Sequence, residues 1–234
     1  MNFQLIQDVM TNSSNIFLVG ASRGVGREIA NYLTKQNLKV KALLRSETSR
    51  SELEAIGVQV VIGDAMNLND VESAILTDEP IHTVISTLGG TPSDTERPDY
   101  PGNKNLIDTA LKAGVQKFIL VTSIGTGNSV EALTPQVLAA LGPVLVEKDK
   151  AEQHLINSGL TYTIIRPGGL KSEPATGNGI LTEDTKVLGS IHRADVAQLV
   201  TKCINSERTN NKTLSAVDRN MLFTQRDFVE FSLN

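Results

Sequence analysis

Gly20, Gly24 and Gly26 follow directly on the apolar run Ile16-Phe17-Leu18-Val19, and a helical pattern, Arg27 to Gln36, follows them. A short apolar run ending in glycine reads as a buried parallel strand and its turn. In such a turn Gly20 permits the tight bend. Gly24 lets backbone N–H groups approach a diphosphate, and Gly26 lets the helix pack on the strand. Ala21, Ser22, Arg23 and Val25 complete the turn. The helix start adds unpaired N–H groups and the positive end of its dipole. The chemistry expected of this stretch is dinucleotide binding, although the spacing is G-x-x-x-G-x-G rather than G-x-G-x-x-G.

The next chemically informative residues lie about 20 positions beyond the glycines, where an NAD-binding chain places Asp or Glu on the ribose hydroxyls. Here stand Arg45 and Ser46. A carboxylate would repel a 2′-phosphate, whereas a guanidinium and a hydroxyl bind it through charge-assisted hydrogen bonds. Arg23 reaches the same phosphate from the glycine turn, and Arg50 is a third candidate. This pattern favours NADP(H) over NAD(H). At the ends of later apolar runs, Asp64 and Ala65 would flank the adenine, with Asp64 either accepting from its amino group or capping a turn. Thr87, Leu88 and Gly89 would lie beside a cofactor ribose.

The elements that must position these residues alternate regularly. Strands are expected at Leu38–Leu44, Val58–Ile62, Ile81–Ser86, Val115–Val121 and Leu160–Arg166. Helices are expected at Ser51–Ile56, Leu68–Leu76, Lys104–Ala113 and Val144–Asn157, and Asn37 stops the first one. The pattern is that of an α/β fold, a doubly wound parallel sheet with ligands at its carboxyl edge. Residues 16–234 read as one domain with a small C-terminal substrate region. Substrate-side loops are expected at 91–101, 125–143 and 168–190. Beyond them come a short strand at Lys186–Gly189, a helix at Ala194–Ile204 capped by Asp195, a strand at Thr213–Val217 and a last helix at Gln225–Phe231. Residues 1–15 form an extension that is either frayed or a short amphipathic helix over Phe3, Leu5, Ile6, Val9 and Met10.

Composition narrows the function classes. The 234 residues carry 22 basic and 26 acidic side chains, interspersed, for a net charge of −4. Neither a nucleic-acid surface nor a polybasic membrane patch is expected from that balance. No apolar run approaches about 18 residues, so no membrane span is expected. The start of the chain lacks the pattern of a secretory signal, and the single Cys203 suits a reducing compartment. The expected location is therefore cytoplasmic. Cys203 sits in an apolar stretch and reads as inert packing. The three histidines show no metal-ligand spacing, so no metal is expected. The expected assembly is a monomer or weak homodimer.

At this point the chain resembles the short-chain dehydrogenase/reductase superfamily, in its atypical NAD(P)-binding branch with a Rossmann fold. The resemblance rests on the run Val19 to Gly26, Gly63-Asp64, Val121-Thr122-Ser123, Lys148 with Ala151-Glu152, Tyr162 through Leu170, and His192 through Ala197. It covers about residues 15–217 and is most similar to biliverdin-IXβ reductase/flavin reductase-type proteins. The resemblance implies Ser123 and Lys148 as catalytic residues. Thr122 and the segment Pro167-Gly168-Gly169-Leu170 would shape the nicotinamide pocket. The superfamily usually carries a tyrosine four residues before the lysine, and here that position is Val144. Without a phenol beside the nicotinamide, a developing alkoxide has no donor in place. An acceptor that spreads the arriving charge over its own ring system needs none, and flavins and open tetrapyrroles are such acceptors. With 4% aromatic residues, stacking on a flat acceptor would be limited.

The expected function is thus an NADPH-dependent reductase of a flavin or biliverdin-like small molecule. One alternative is an NADP(H)-binding sensor or assembly factor without turnover, which loss of the tyrosine supports equally. Another is an epimerase or isomerase, weakened by the roughly 65 residues that follow Gly169, few for a substrate domain.

Overall fold

The computed structural model describes residues 15–91, 94–223 and 227–233. Strand β1 (Ile16–Val19) is wholly buried, and its four side chains alternate between two cores. Ile16 and Leu18 join one apolar cluster and Phe17 and Val19 the other, as the period of two in a strand demands. Around β1 lie β2 (Val40–Leu44), β3 (Gln59–Ile62), β4 (Thr83–Ser86), β5 (Lys117–Val121), β6 (Tyr162–Pro167), β7 (Gly169–Lys171), β8 (Gly179–Thr182), β9 (Ser190–His192) and β10 (Lys212–Asp218). The main sheet runs β3-β2-β1-β4-β5-β6-β10-β8, and β7 pairs with β9 in a second, two-stranded sheet. All pairings in the main sheet are parallel except β10 with β8.

The helices are α1 (Gly24–Lys35), α2 (Arg50–Ala55), α3 (Leu68–Ile75), α4 (Pro101–Lys112), α5 (Pro135–Asn157) and α6 (Arg193–Asn205). In α1, Val25, Ile29, Ala30 and Leu33 face the core at helical spacing. The chain leaves that helix through Asn37 at φ 58°, a left-handed conformation that Asn tolerates. Helices α1 and α6 cover one face of the sheet with the cluster of Ile29, Leu33, Val196 and Val200. Helices α3, α4 and α5 cover the other with Val71, Leu106, Ile107 and Leu155. This is the expected doubly wound α/β architecture.

Four local expectations are corrected. Helix α5 starts at Pro135 and runs through Gly142-Pro143, so residues 135–143 are helical rather than loop. Gly-Pro is a breaker in general, yet Thr134 accepts from the Val137 amide and Pro135 occupies the first turn, a start signature that outweighs it. The strand expected at Lys186–Gly189 lies instead at Ser190–His192, where β7 provides a partner. Asp195 does not cap its own helix. It is buried and accepts the amides of Thr176 (2.9 Å) and Gly177 (2.8 Å). Residues 227–231 are not helical: the Phe231 amide donates to Leu181 O at 2.7 Å, and Phe231 packs on the core. Residues 224–226 and 1–14, which carry the rest of the expected last helix and the N-terminal extension, lie outside the described residues.

Candidate functional site

Strand order reverses at β1, whose neighbours are β2 on one side and β4 on the other. A cleft of about 920 Å³ opens at the carboxyl ends of these strands and of β5, where doubly wound sheets bind ligands. The glycine turn forms its floor. Gly20 takes φ 89°, and a Cβ there would stand 2.4 Å from Thr87 Oγ1. A Cβ on Gly26 would stand 2.1 Å from Gly20 O, so the helix can meet the turn only through glycine. Gly24 faces the open cleft, with Arg193 Nε the nearest atom at 3.7 Å from a Cβ placed there. Arg23, the N-cap residue, makes no side-chain cap, and the first turn of α1 holds no acidic residue. The helix therefore presents unsatisfied amides and a positive dipole end to the cleft, the arrangement an anion needs.

Gly20, Ser22, Arg23, Gly24 and Val25 line the cleft, whereas Ala21 and Gly26, expected at the cofactor, do not. Both are buried within the turn. Arg27, which also lines the cleft, braces the turn, donating to Ala21 O and Ser22 O while Glu52 takes its Nη1 at 2.8 Å.

Arg45 and Ser46 line the cleft at the end of β2. The Arg45 side chain is 66% exposed, and its Nη2 lies 4.0 Å from Asp94 Oδ1. Asp94 is held below the usual carboxylate range, first by hydrogen bonds from Thr91 and then by Arg45 and Arg97. Arg50 does not reach this end. Its guanidinium is bonded to Glu54 and Glu47, and those bonds raise its pKa. Asp64 and Ala65 line the cleft beside β3. Asp64 Oδ1 accepts the Met66 amide at 2.9 Å, while Asn67 caps α3. The carboxylate thus organises the turn and does not cap the helix.

The other end of the cleft collects Thr87, Leu88, Gly89, Thr122, Ser123, Lys148 and Leu170. Ser123 Oγ donates to Ile124 O at 3.0 Å. Lys148 Nζ lies 3.0 Å from Asp99 Oδ1, and Asp99 is completely buried. The second oxygen of Asp99 meets Arg97 Nη2 at 3.0 Å and the Gly90 amide at 2.9 Å. A Cβ on Gly89 would stand 3.3 Å from Asp99 Oδ1 and 3.4 Å from Lys148 Nζ, so Gly89 borders this ion pair. Behind the floor, Thr122 Oγ1 donates to Glu152 Oε1 at 2.6 Å. Buried Glu152 pairs with Arg166 through both oxygens (3.1 and 2.5 Å). The cleft wall beside Lys148 is apolar, made by Leu141, Val144 and Leu145 of the same helix, α5. None of the three tyrosines lines the cleft, and no aromatic side chain does so among the described residues.

Pro167, Gly168 and Gly169 are not brought to the cleft wall; of that segment only Leu170 is. A Cβ on Gly168 would stand 2.2 Å from Gly189 O, so its glycine serves the close approach of two backbones. Sequence reasoning missed Asp99, Arg193 and Glu173. Asp99 sits in a proline-containing loop, where nothing local marks it as buried. Glu173 lines the cleft, its carboxyl held below the usual range by its own backbone amide and then by His192 and Lys171. Arg193 carried the only available signal, as part of the His192 to Ala197 resemblance.

The glycine floor, the uncapped helix start and the row of cationic and hydroxyl groups fit an extended dinucleotide. Comparison with known proteins points the same way. Residues 20–207 match the family model described as NAD(P)H-binding. An uncharacterized chloroplastic protein of Arabidopsis thaliana is 34% identical, covering 88% of this chain and 78% of that one. Sanguinarine reductase of Eschscholzia californica is 30% identical, covering 84% and 86%. Among solved structures, ChuY, an anaerobilin reductase of Escherichia coli O157:H7, superposes with a TM-score of 0.79 at 33% identity, covering 88% of this chain and 98% of that one.

Proposed function

This chain belongs to the NAD(P)H-binding family, with the fold of an atypical short-chain dehydrogenase/reductase and a nicotinamide cofactor. From that premise we propose that it is an NADPH-dependent reductase of a flat, conjugated small molecule of flavin or biliverdin type. The observation that carries this reading is Val144. It lines the cleft beside Lys148 on the same face of α5, one helical turn before the lysine, where a proton-donating phenol would stand.

The residues divide the work along the cleft. Amides of Ser22, Arg23, Gly24 and Val25 hold the diphosphate. Arg45, Ser46 and Arg23 take the 2′-phosphate and so favour NADPH over NADH. Asp64, Ala65 and Leu88 flank the adenine, and Thr87 and Gly89 lie against a ribose. Lys148, fixed by buried Asp99, binds the second ribose and holds positive potential where negative charge develops. Thr122 and Ser123 offer hydroxyls at the same end. When bound, the cofactor supplies the hydride. Leu141, Val144, Leu145 and Leu170 exclude water from one side of the acceptor, while the open mouth admits water as proton source. Two reductases among the similar proteins support this choice of chemistry.

The test is to mix the full chain with NADPH and FMN or biliverdin and follow loss of the reduced nicotinamide absorbance. Turnover that falls at least tenfold in Lys148→Ala supports the reading. Tight NADPH binding with no oxidation across flavins, biliverdin and quinones would replace it with the non-catalytic one, a protein that only holds the nucleotide.

A further inference from the structure

Arg193, the first residue of α6, faces two ways. Its Nη1 donates to Ser172 Oγ at 2.7 Å and to Leu170 O at 3.4 Å. Those partners belong to β7 and the segment that follows it. On the other side, Nε stands 3.7 Å from the point a Gly24 Cβ would occupy. The guanidinium therefore lies beside the turn whose amides carry no side-chain cap. Among the described residues Arg193 forms no salt bridge, unlike Arg27, Arg50 and Arg166, which are neutralised by Glu partners. A half-exposed cation without a counter-ion, opposite a set of anion-seeking amides, is a second wall for the same phosphate charge.

The same helix turn controls the segment 170–177 at both ends. Arg193 holds Leu170 and Ser172, and Asp195 holds the amides of Thr176 and Gly177. Between these anchors, Ser172 and Glu173 line the cleft. An arginine can serve both directions at once because its five N–H donors are fixed in a planar fork. One nitrogen stays on the segment while Nε and Nη2 remain for a ligand. A lysine, with a single nitrogen on a flexible stem, could not hold both geometries.

We infer that Arg193 is a bridging residue, bonded at once to the cofactor's diphosphate and to the 170–177 segment, so that nucleotide binding orders the acceptor-side wall. This rests on the reading above that the cleft holds a dinucleotide. The bridge touches the diphosphate common to NADPH, NADH and ADP-ribose. It is blind to the 2′-phosphate, which is left to Arg45 and Arg23.

Calorimetry on the full chain with NADPH, NADH, ADP-ribose and 2′-AMP tests it, alongside hydrogen exchange of residues 170–177 with and without ADP-ribose. In Arg193→Gln, affinity for NADPH, NADH and ADP-ribose should fall by the same factor, roughly tenfold or more for a charge-assisted contact. Binding of 2′-AMP, which has no diphosphate, should be unchanged. ADP-ribose should slow exchange in the segment in the unsubstituted chain and fail to do so in Arg193→Gln. Arg193→Lys should recover part of the affinity and none of the protection. Unchanged ADP-ribose affinity in Arg193→Gln, or a loss confined to NADPH, would overturn the bridge while leaving the dinucleotide reading intact. An equal loss for 2′-AMP would also overturn it, as damage to the whole cleft. Failure of the unsubstituted chain to bind any nicotinamide nucleotide would instead remove the reading on which the bridge rests.

Discussion

Replacing Arg45 by Gln should separate the two nicotinamide cofactors. The side chain is 66% exposed and stands 4.0 Å from Asp94. Two unit charges at that distance interact by about 1 kcal/mol in water and about 4 kcal/mol at an effective dielectric of 20. A group two-thirds exposed belongs near the lower figure. A charge-assisted hydrogen bond is worth about 1.5–3 kcal/mol, and exposure again selects the lower end. The net expectation is a loss of about 1.4 kcal/mol, tenfold in Kd for NADPH, with NADH unchanged. Asp94 is a carboxylate at the guanidinium's tip, so it competes with the incoming phosphate for Arg45. Asp94→Asn should therefore tighten NADPH and leave NADH alone, and in the Arg45→Gln background that gain should shrink. Calorimetric titration at low and high salt is the assay. The Arg45 effect should weaken as the Debye length falls below about 10 Å. Equal weakening of NADPH and NADH by Arg45→Gln would refute the assignment of this residue to the 2′-phosphate.

Four further outcomes are expected. Asp99→Asn leaves Arg97 and Lys148 without their buried counter-ion and should cost about 3 kcal/mol of stability, read by denaturant unfolding. It should also lower kcat more than it raises the KM for NADPH, because Lys148 loses its fixed position. Glu152→Gln strands the buried Arg166 guanidinium. About 3 kcal/mol lost in a chain of this size lowers Tm by roughly 10 °C, read by calorimetric melting. Gly26→Ala places a Cβ 2.1 Å from Gly20 O; opening the turn costs about 1–3 kcal/mol and should abolish tight nucleotide binding in calorimetry while circular dichroism stays native. Burial pushes the Cys203 thiol up to about 12. The native chain should resist alkylation at pH 8 and react fully only in denaturant. The sign for stability follows, since the unfolded thiol ionises above its ordinary value near 9.0 while the folded one stays protonated. This group's contribution is constant below that pH and falls as pH rises toward 12.

The glycine turn, the strand before it and the helix after it were legible because each is a local pattern. Four apolar residues, three glycines and a 3.6-residue period need no distant partner to be recognised. Arg45, Ser46, Asp64 and Thr87 were legible for a related reason: once strand order is assumed, the ends of parallel strands must share one edge. The misassigned segments obeyed the opposite logic. Gly142-Pro143 breaks a helix locally, yet α5 passes through it from a start at Thr134-Pro135. Gly168 and Gly169 resemble a ligand-facing turn, yet backbone packing against Gly189 determines them. Asp195 sits where a cap would sit, yet two amides of a loop eighteen and nineteen residues away hold it.

The sequence by itself determined the layered α/β architecture, the glycine turn of the dinucleotide floor and the valine at position 144, since these depend on residue type and short-range spacing. Only the tertiary structure decided the electrostatic pairing inside the cleft: Asp99 beneath Lys148, Asp94 opposite Arg45, Glu152 against Arg166, and Arg193 facing the glycine turn. Such pairs join charges far apart in the chain. Which of several equivalent arginines or carboxylates meet is fixed by packing in three dimensions, and no periodicity along the chain records it.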